Sequence, residues 1–180
     1  MLEIKKLSVS LAENKKIIIK NASLSVYPGE VHVLNGNNGS GKSTLVNEIM
    51  GNPEFVVSGG RIKLKKENLK KIIKSKLPQI LVENNEIDLI SLQPNERSLL
   101  GIYLASQYPI SIPGVSIMGY LRLIFNMRKE RKVSLAAFKE LLREKADLIN
   151  YPLHLLERNL NEGFSGGEKK IGRASCRERV

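Results

Sequence analysis

The stretch Val31-His32-Val33-Leu34-Asn35-Gly36-Asn37-Asn38-Gly39-Ser40-Gly41-Lys42-Ser43-Thr44-Leu45 decides how this chain is read. Val31 to Leu34 predicts a strand, and Leu45 to Met50 a helix, with a glycine-rich loop between them. Gly36 to Ser43 fits the pattern G-x-x-x-x-G-K-[ST], and Thr44 follows it. Gly36, Gly39 and Gly41 allow backbone angles that a Cβ would forbid, so the loop with Asn37, Asn38 and Ser40 can wrap a phosphate. Successive N–H groups then form an anion nest, to which the start of the next helix adds partial positive charge. Lys42 is expected to reach the β and γ phosphates, Ser43 to ligate Mg²⁺, and Thr44 to contact the α phosphate. The bland alternative is a turn that holds Lys-Ser by chance, and the flanking strand and helix argue against it.

Upstream, Leu2 to Ile4, Leu7 to Val9, Ile17 to Ile19 and Leu24 to Val26 read as short strands, closed by a turn at Tyr27-Pro28-Gly29-Glu30. Downstream, Ser58-Gly59-Gly60 reads as a turn, Ile62 to Leu64 as an edge strand, and Glu67 to Lys76 as a basic helix. Ile102 to Ala105 reads as a buried strand, broken by a loop containing Pro109 and Pro113-Gly114. The period then becomes helical. Ile117, Leu121 and Ile124 share a face, and Ser134 can cap a helix carrying Leu135, Phe138, Leu141, Leu142 and Ile149. The order predicts an α/β protein with a helical subdomain.

Composition narrows the classes. The 180 residues are 42% hydrophobic, enough for a core, and carry a formal charge of +11. Arg61 to Lys76 holds +7 of that charge and Lys169 to Val180 the remaining +4, so the basicity is two local features. The first contains no aromatic residue for base stacking, so a solvated face is favoured over nucleic acid or an acidic partner. The single Cys176 excludes a disulfide framework and a cysteine-cluster metal site. No run approaches the roughly 18 apolar residues of a membrane span. Met1 to Lys6 lacks the apolar core of a signal peptide. A cytoplasmic protein without direct membrane insertion is the expectation.

The phosphate loop alone is shared by kinases, GTPases, AAA-type motors and ABC ATPases. Phe164-Ser165-Gly166-Gly167-Glu168 resembles the signature of the last, usually written LSGGQ. A lone Ser-Gly-Gly is an ordinary flexible turn, but here it follows a phosphate loop and a helical segment. Gly101 to Ser116, Asn161 to Lys170 and Tyr27 to His32 are similar to the SufC branch of the ABC ATPases, with Glu168 in place of the signature glutamine. The resemblance runs from Met1 to about Lys170. It implies an ABC-type P-loop NTPase fold with an antiparallel β subdomain and a helical subdomain. It also implies that Gln107 senses the γ phosphate and Mg²⁺. Ser165, Gly166, Gly167 and Glu168 would close over the ATP of a partner subunit in an ATP-dependent homodimer. SufB/SufD-type scaffold proteins and iron–sulfur cluster assembly are the implied setting, with ATP and Mg²⁺ as cofactors. The ATPase of a membrane transporter, or a nucleotide-binding fragment without turnover, are the alternatives.

Several positions depart from that pattern. The stacking aromatic falls at about Leu11, so adenine meets aliphatic surface, costing on the order of 1 kcal/mol. Asn37 stands where the loop usually has Pro. No strand ending in Asp-Glu and no switch His follows the signature, so no catalytic residue is expected within the chain and hydrolysis is expected to be absent. His32 and His154 read as structural or exposed. Ile171 to Val180 does not continue the signature helix and reads as translated sequencing adapter. Without that segment the charge falls to +9 and no thiol remains to ligate a cluster. The expected organisation is therefore a partial ABC domain over 1–170, incomplete at its C-terminus, and a non-native tail over 171–180. Within the domain, 1–66 holds the β subdomain and loop, 67–86 a basic insertion, 87–107 the return to the core, and 108–170 the helical subdomain and signature.

Overall fold

Apolar residues at Ile4, Leu7 and Val9 put one face of β1 (Leu2–Leu11) into the core. A computed structural model describes residues 1–67, 69, 85–105, 111–128, 132–160 and 162–164. β1 pairs antiparallel with β2 (Ile17–Val26) on one side and β3 (Phe55–Lys65) on the other. A short β4 (Glu86–Asp88) extends the sheet beyond β3, giving the order β2-β1-β3-β4. The step from Ile4 to Leu7 is three residues rather than two, so both can face inward only if the strand is locally irregular. Lys6 has φ 48° there, and Gly60 opposite has φ 85°. A Cβ on Gly60 would lie 2.4 Å from the Lys6 carbonyl oxygen. Serine hydroxyls replace the disturbed ladder bonds, Ser23 Oγ accepting from the Lys6 N–H at 3.0 Å and Ser8 Oγ from the Asn21 N–H at 3.2 Å.

The sheet corrects two readings of this region. Ser58-Gly59-Gly60 is not a turn but part of the continuous β3, because the irregularity absorbs its positive φ. Ile62 to Leu64 is not at an edge, since β4 pairs beyond it, Leu64 opposite Ile87.

Helix α1 (Lys42–Met50) places Leu45 against this core, and Gly51, with φ 84°, ends it in a left-handed cap. A turn of 3₁₀ helix, Leu89–Ser91, and helix α2 (Pro94–Leu99) follow β4. Leu89, Leu92 and Leu100 from this segment are buried, as is Leu69. Two expected strands are missing here. Val31 to Leu34 and Ile102 to Ala105 have no strand pairing, and Val31, Val33 and Tyr103 are 83%, 85% and 69% exposed. A strand exists only through the backbone groups beside it, and no described segment lies along either run. The Glu67 to Lys76 helix lies outside the described residues apart from Glu67 and Leu69.

The chain divides into two compact units, Met1–Leu104 and Ala105–Val180. In the second, β5 (Ile112–Ser116) pairs antiparallel with β6 (Asn159–Leu160). Pro113-Gly114 thus sits within a short irregular strand, where a loop was expected, because Gly114 takes φ 77° without ending the pairing. Helices α3 (Ile117–Arg128) and α4 (Leu135–Leu148) meet through Phe125 and Phe138, ring centroids 5.5 Å apart. Ser134 caps α4 as its position predicts, its Oγ accepting from the Ala137 N–H at 3.2 Å. Ile117, Ala146, Leu155, Leu156 and Phe164 form the core of this unit.

Candidate functional site

Gly36 to Thr44 builds a loop that closes on itself at the start of α1. Gly39 and Gly41 have φ 81° and 88°, left-handed values that a side chain resists, and Gly36 has φ 152°. The Ser40 N–H donates to the Asn37 carbonyl at 3.2 Å, and the Leu45 N–H to the Gly41 carbonyl at 2.9 Å. Gly41 is also tightly packed, since a Cβ there would approach Ile19 Cγ1 of β2 to 3.1 Å. Its left-handed geometry turns the chain from loop into helix with no side-chain cap on α1. The N–H groups of the first turn therefore keep their donor capacity for an anion.

Lys42 folds back across the loop. Its Nζ donates to the Gly36 carbonyl at 2.7 Å and the Asn37 carbonyl at 2.8 Å, and approaches Ser40 Oγ at 3.5 Å. An ammonium thus sits among the loop's own oxygens at the mouth of the nest. Asn35 Oδ1 accepts from the Gly36 N–H at 2.8 Å and fixes the entry to the turn. Asn37, Asn38, Gly39, Ser40 and Ser43 are exposed, whereas Thr44 is buried beneath them. The Ser43 hydroxyl, exposed on the first turn beside Lys42, suits an oxygen-preferring divalent cation such as Mg²⁺. Positive charge, backbone N–H groups and a hydroxyl thus gather at one helix start, chemistry suited to a polyphosphate.

Before the loop, Glu30 caps the turn at Tyr27 by accepting from its N–H at 2.8 Å, and it pairs with His32 Nε2 at 2.9 Å. Those two contacts, the backbone N–H first, hold the Glu30 carboxyl below its ordinary pKa. His32 is thereby engaged in the turn, and His154 lies exposed on the 3₁₀ turn Leu153–Glu157.

Gln107 and the signature residues Ser165, Gly166, Gly167 and Glu168 lie outside the described residues. The approach to the signature is described, and it is anchored. Phe164 is buried, with the Arg158 guanidinium 4.6 Å from its ring centroid. Arg158 Nη2 also donates to the Gly163 carbonyl at 2.9 Å.

Reading the sequence alone missed two charged residues on α1 and α2. Arg97 and Glu48 are 3% and 4% exposed. Arg97 Nη1 donates to the carbonyls of Glu48 and, at 3.1 Å, Ile49, while its Nε donates to Leu92 at 3.0 Å. Bonds of this type, with a charged donor, contribute about 1.5–3 kcal/mol each. Their acceptors are backbone oxygens, which carry no sequence signal. The signal available was Glu48, an ionisable residue on the inward side of a predicted helix.

The comparisons with known proteins agree with this geometry. Residues 19–174 match the family model described as ABC transporter. The chain is 39% identical over 174 residues to a probable ATP-dependent transporter, SufC, of Escherichia coli strain K12, covering 94% of this chain and 61% of that protein. It is 38% identical over 174 residues to the iron–sulfur cluster assembly protein SufC of Plasmodium falciparum, covering 94% of this chain and 44% of that one. The chain thus spans less than two thirds of the length of these relatives. The resemblance to the SufC branch is borne out. Among solved structures, a dimeric ATP-binding cassette in a post-hydrolysis state with ADP and phosphate superposes with a TM-score of 0.69 at 18% identity, covering 97% of this chain and 68% of that one. That likeness speaks to the fold, the expected α/β cassette with its antiparallel sheet.

Proposed function

The chain belongs to the ABC transporter family, and from that premise we propose that it is the ATP- and Mg²⁺-binding portion of an ATPase driving iron–sulfur cluster assembly. The observation that carries the nucleotide reading is the closed loop at the start of α1, with Lys42 drawn across it. The loop from Gly36 to Gly41 wraps phosphate oxygens with backbone N–H groups, those of Gly36 and Ser40 giving up Asn35 Oδ1 and the Asn37 carbonyl for the ligand, and Lys42 moves from its carbonyl partners to the β and γ phosphates. Ser43 would hold Mg²⁺, which would supply positive charge to offset that of the phosphates. Thr44 supports the α-phosphate side of the loop. Gln107 reports the γ phosphate and shares the metal. Ser165, Gly166, Gly167 and Glu168 act on the ATP of a second copy, so the working unit is a homodimer that forms with ATP.

The cluster-assembly setting rests on the name of the Plasmodium relative and on the resemblance of Gly101 to Ser116 and Asn161 to Lys170. A SufB/SufD-type scaffold in the cytoplasm is the proposed partner. Among the described residues, no helix is long and apolar enough to cross a membrane. We propose further that these 180 residues bind ATP without turning it over. The only aspartates, Asp88 and Asp147, are each followed by Leu, so no adjacent Asp-Glu pair is present to hold the metal and polarise water.

Titration with ATP·Mg²⁺ tests the nucleotide reading. Saturable binding to the wild type and at least tenfold weaker binding to Lys42→Ala are expected, because the change removes a charge-assisted phosphate contact of more than about 1.4 kcal/mol. Equal affinities would refute it. Phosphate release at the buffer rate is expected throughout, and turnover dependent on Lys42 would refute the second proposal. Copurification tests the setting. Recovery with a membrane permease and no scaffold protein would favour the transporter reading, which the word transporter in the Escherichia relative's name keeps in view.

A further inference from the structure

Helix α1, which presents the phosphate loop, is fastened at both ends. At its start, Gly41 is pressed against Ile18 and Ile19 of β2. At its finish, the last-turn carbonyls of Glu48 and Ile49 accept from Arg97 Nη1, while Arg97 Nε is tied to Leu92 ahead of α2. The Glu48 carbonyl also accepts from the Gly51 N–H at 2.9 Å, and both carbonyls carry the negative end of the helix dipole, so a cation in planar fork geometry suits them well. The turn leaving α1 is shaped around the same group, since a Cβ on Gly51 would fall 2.8 Å from Arg97 Cζ. The charged groups that act on the guanidinium are Glu48 from α1 and Asp88 from β4.

We propose that Arg97 is a positioning residue for nucleotide binding, setting the direction in which α1 presents Lys42, Ser43 and the loop N–H groups to phosphate. This rests on the nucleotide reading given above. α1 has nine residues, a rod about 13 Å long. A tilt released at its far end becomes a displacement at the loop. Misplacement of about 1 Å at a reacting centre costs on the order of 100-fold in rate, and a phosphate held by several converging donors makes the same geometric demand. A residue needed only to fill the core would use its apolar stem. Arg97 instead spends its donors on three backbone carbonyls, two of them on the helix whose other end meets the ligand.

The test titrates a fluorescent ATP analogue with Mg²⁺ into the wild-type chain and into Arg97→Met, Arg97→Lys and Lys42→Ala, reading both Kd and the number of sites per chain. Arg97→Met is expected to weaken binding on the order of 10- to 100-fold while keeping one site per chain. Arg97→Lys, whose ammonium can still serve the α1 carbonyls, is expected to recover affinity to within about fivefold of wild type. A merely structural role would reduce the number of competent sites and leave their Kd unchanged. A Kd within twofold of wild type in Arg97→Met overturns the proposal; if that variant does not fold, Arg97→Gln, which keeps a polar stem without the charge, decides by the same limit. Loss of binding in Lys42→Ala with wild-type Kd in the Arg97 variants sinks the Arg97 proposal alone. Absence of saturable binding to the wild type sinks the loop reading and this proposal together.

Discussion

Glu48 places a carboxyl beside the Arg97 guanidinium, on the buried side of the phosphate-loop helix. Its Oε2 is buried without a hydrogen-bond partner among the described residues. Burial raises its pKa, and the Arg97 charge offsets only part of that rise. A carboxyl whose folded pKa lies above its unfolded value binds more protons when folded. Its contribution is therefore most favourable in acid and worsens as pH climbs from the ordinary carboxylate range through the raised folded value. Glu48→Gln removes the charge and keeps the bulk. Its melting temperature should exceed wild type by a few degrees at about pH 8, corresponding to about 1 kcal/mol, and the gap should close by about pH 4. Thermal melts across that range check it, and a gap independent of pH would contradict the assignment. At this scale the loop positions of Lys42 and Ser43 were legible because they follow from spacing along the chain. Arg97 and Glu48 were not, because their roles depend on which helix end lies next to which turn.

The elements divide along the same line. Helix α4 is locally encoded, with Ser134 at its start and Phe138 on its buried side. Ser134→Ala should cost about 1 kcal/mol, lowering the melting temperature by about 2–4 °C. Leu135→Ala on its exposed flank should cost less, and circular dichroism melts of the pair would show the order reversed if the cap were idle. The β1 irregularity was also readable in principle, from the three-residue step between Ile4 and Leu7. The runs at Val31 to Leu34 and Ile102 to Ala105 carry strand composition and still form no strand. Their hydrogen bonds must come from distant segments, which no local pattern supplies. The same non-locality placed β4 beside β3 and made an interior strand of one that looked peripheral.

Among the described residues, the exposed side chains of Val31 and Val33 present apolar, β-branched surface to solvent. Exposed apolar runs of this composition invite association with other chains. Val31→Thr combined with Val33→Thr keeps the β-branched shape and adds hydroxyls. The double variant should bind severalfold less of a hydrophobic dye and show weaker concentration-dependent self-association by light scattering. Unchanged scattering would locate the association elsewhere. The net charge of +11 opposes association only through long-range repulsion, which physiological salt screens within about 8 Å.

The resting place of Lys42 has a consequence for ligand choice. With Nζ held by the Gly36 and Asn37 carbonyls, the loop neutralises part of its own attraction for anions. A ligand must draw the ammonium away from two good acceptors before gaining its charge. A lone phosphate at the helix start meets only the amide donors and offers too little in exchange. A chain of phosphates reaches the amides with one group and the ammonium with the next, recovering what the carbonyls lose. On the proposed nucleotide reading, the loop's own carbonyls act as an internal competitor that favours polyphosphate over monophosphate.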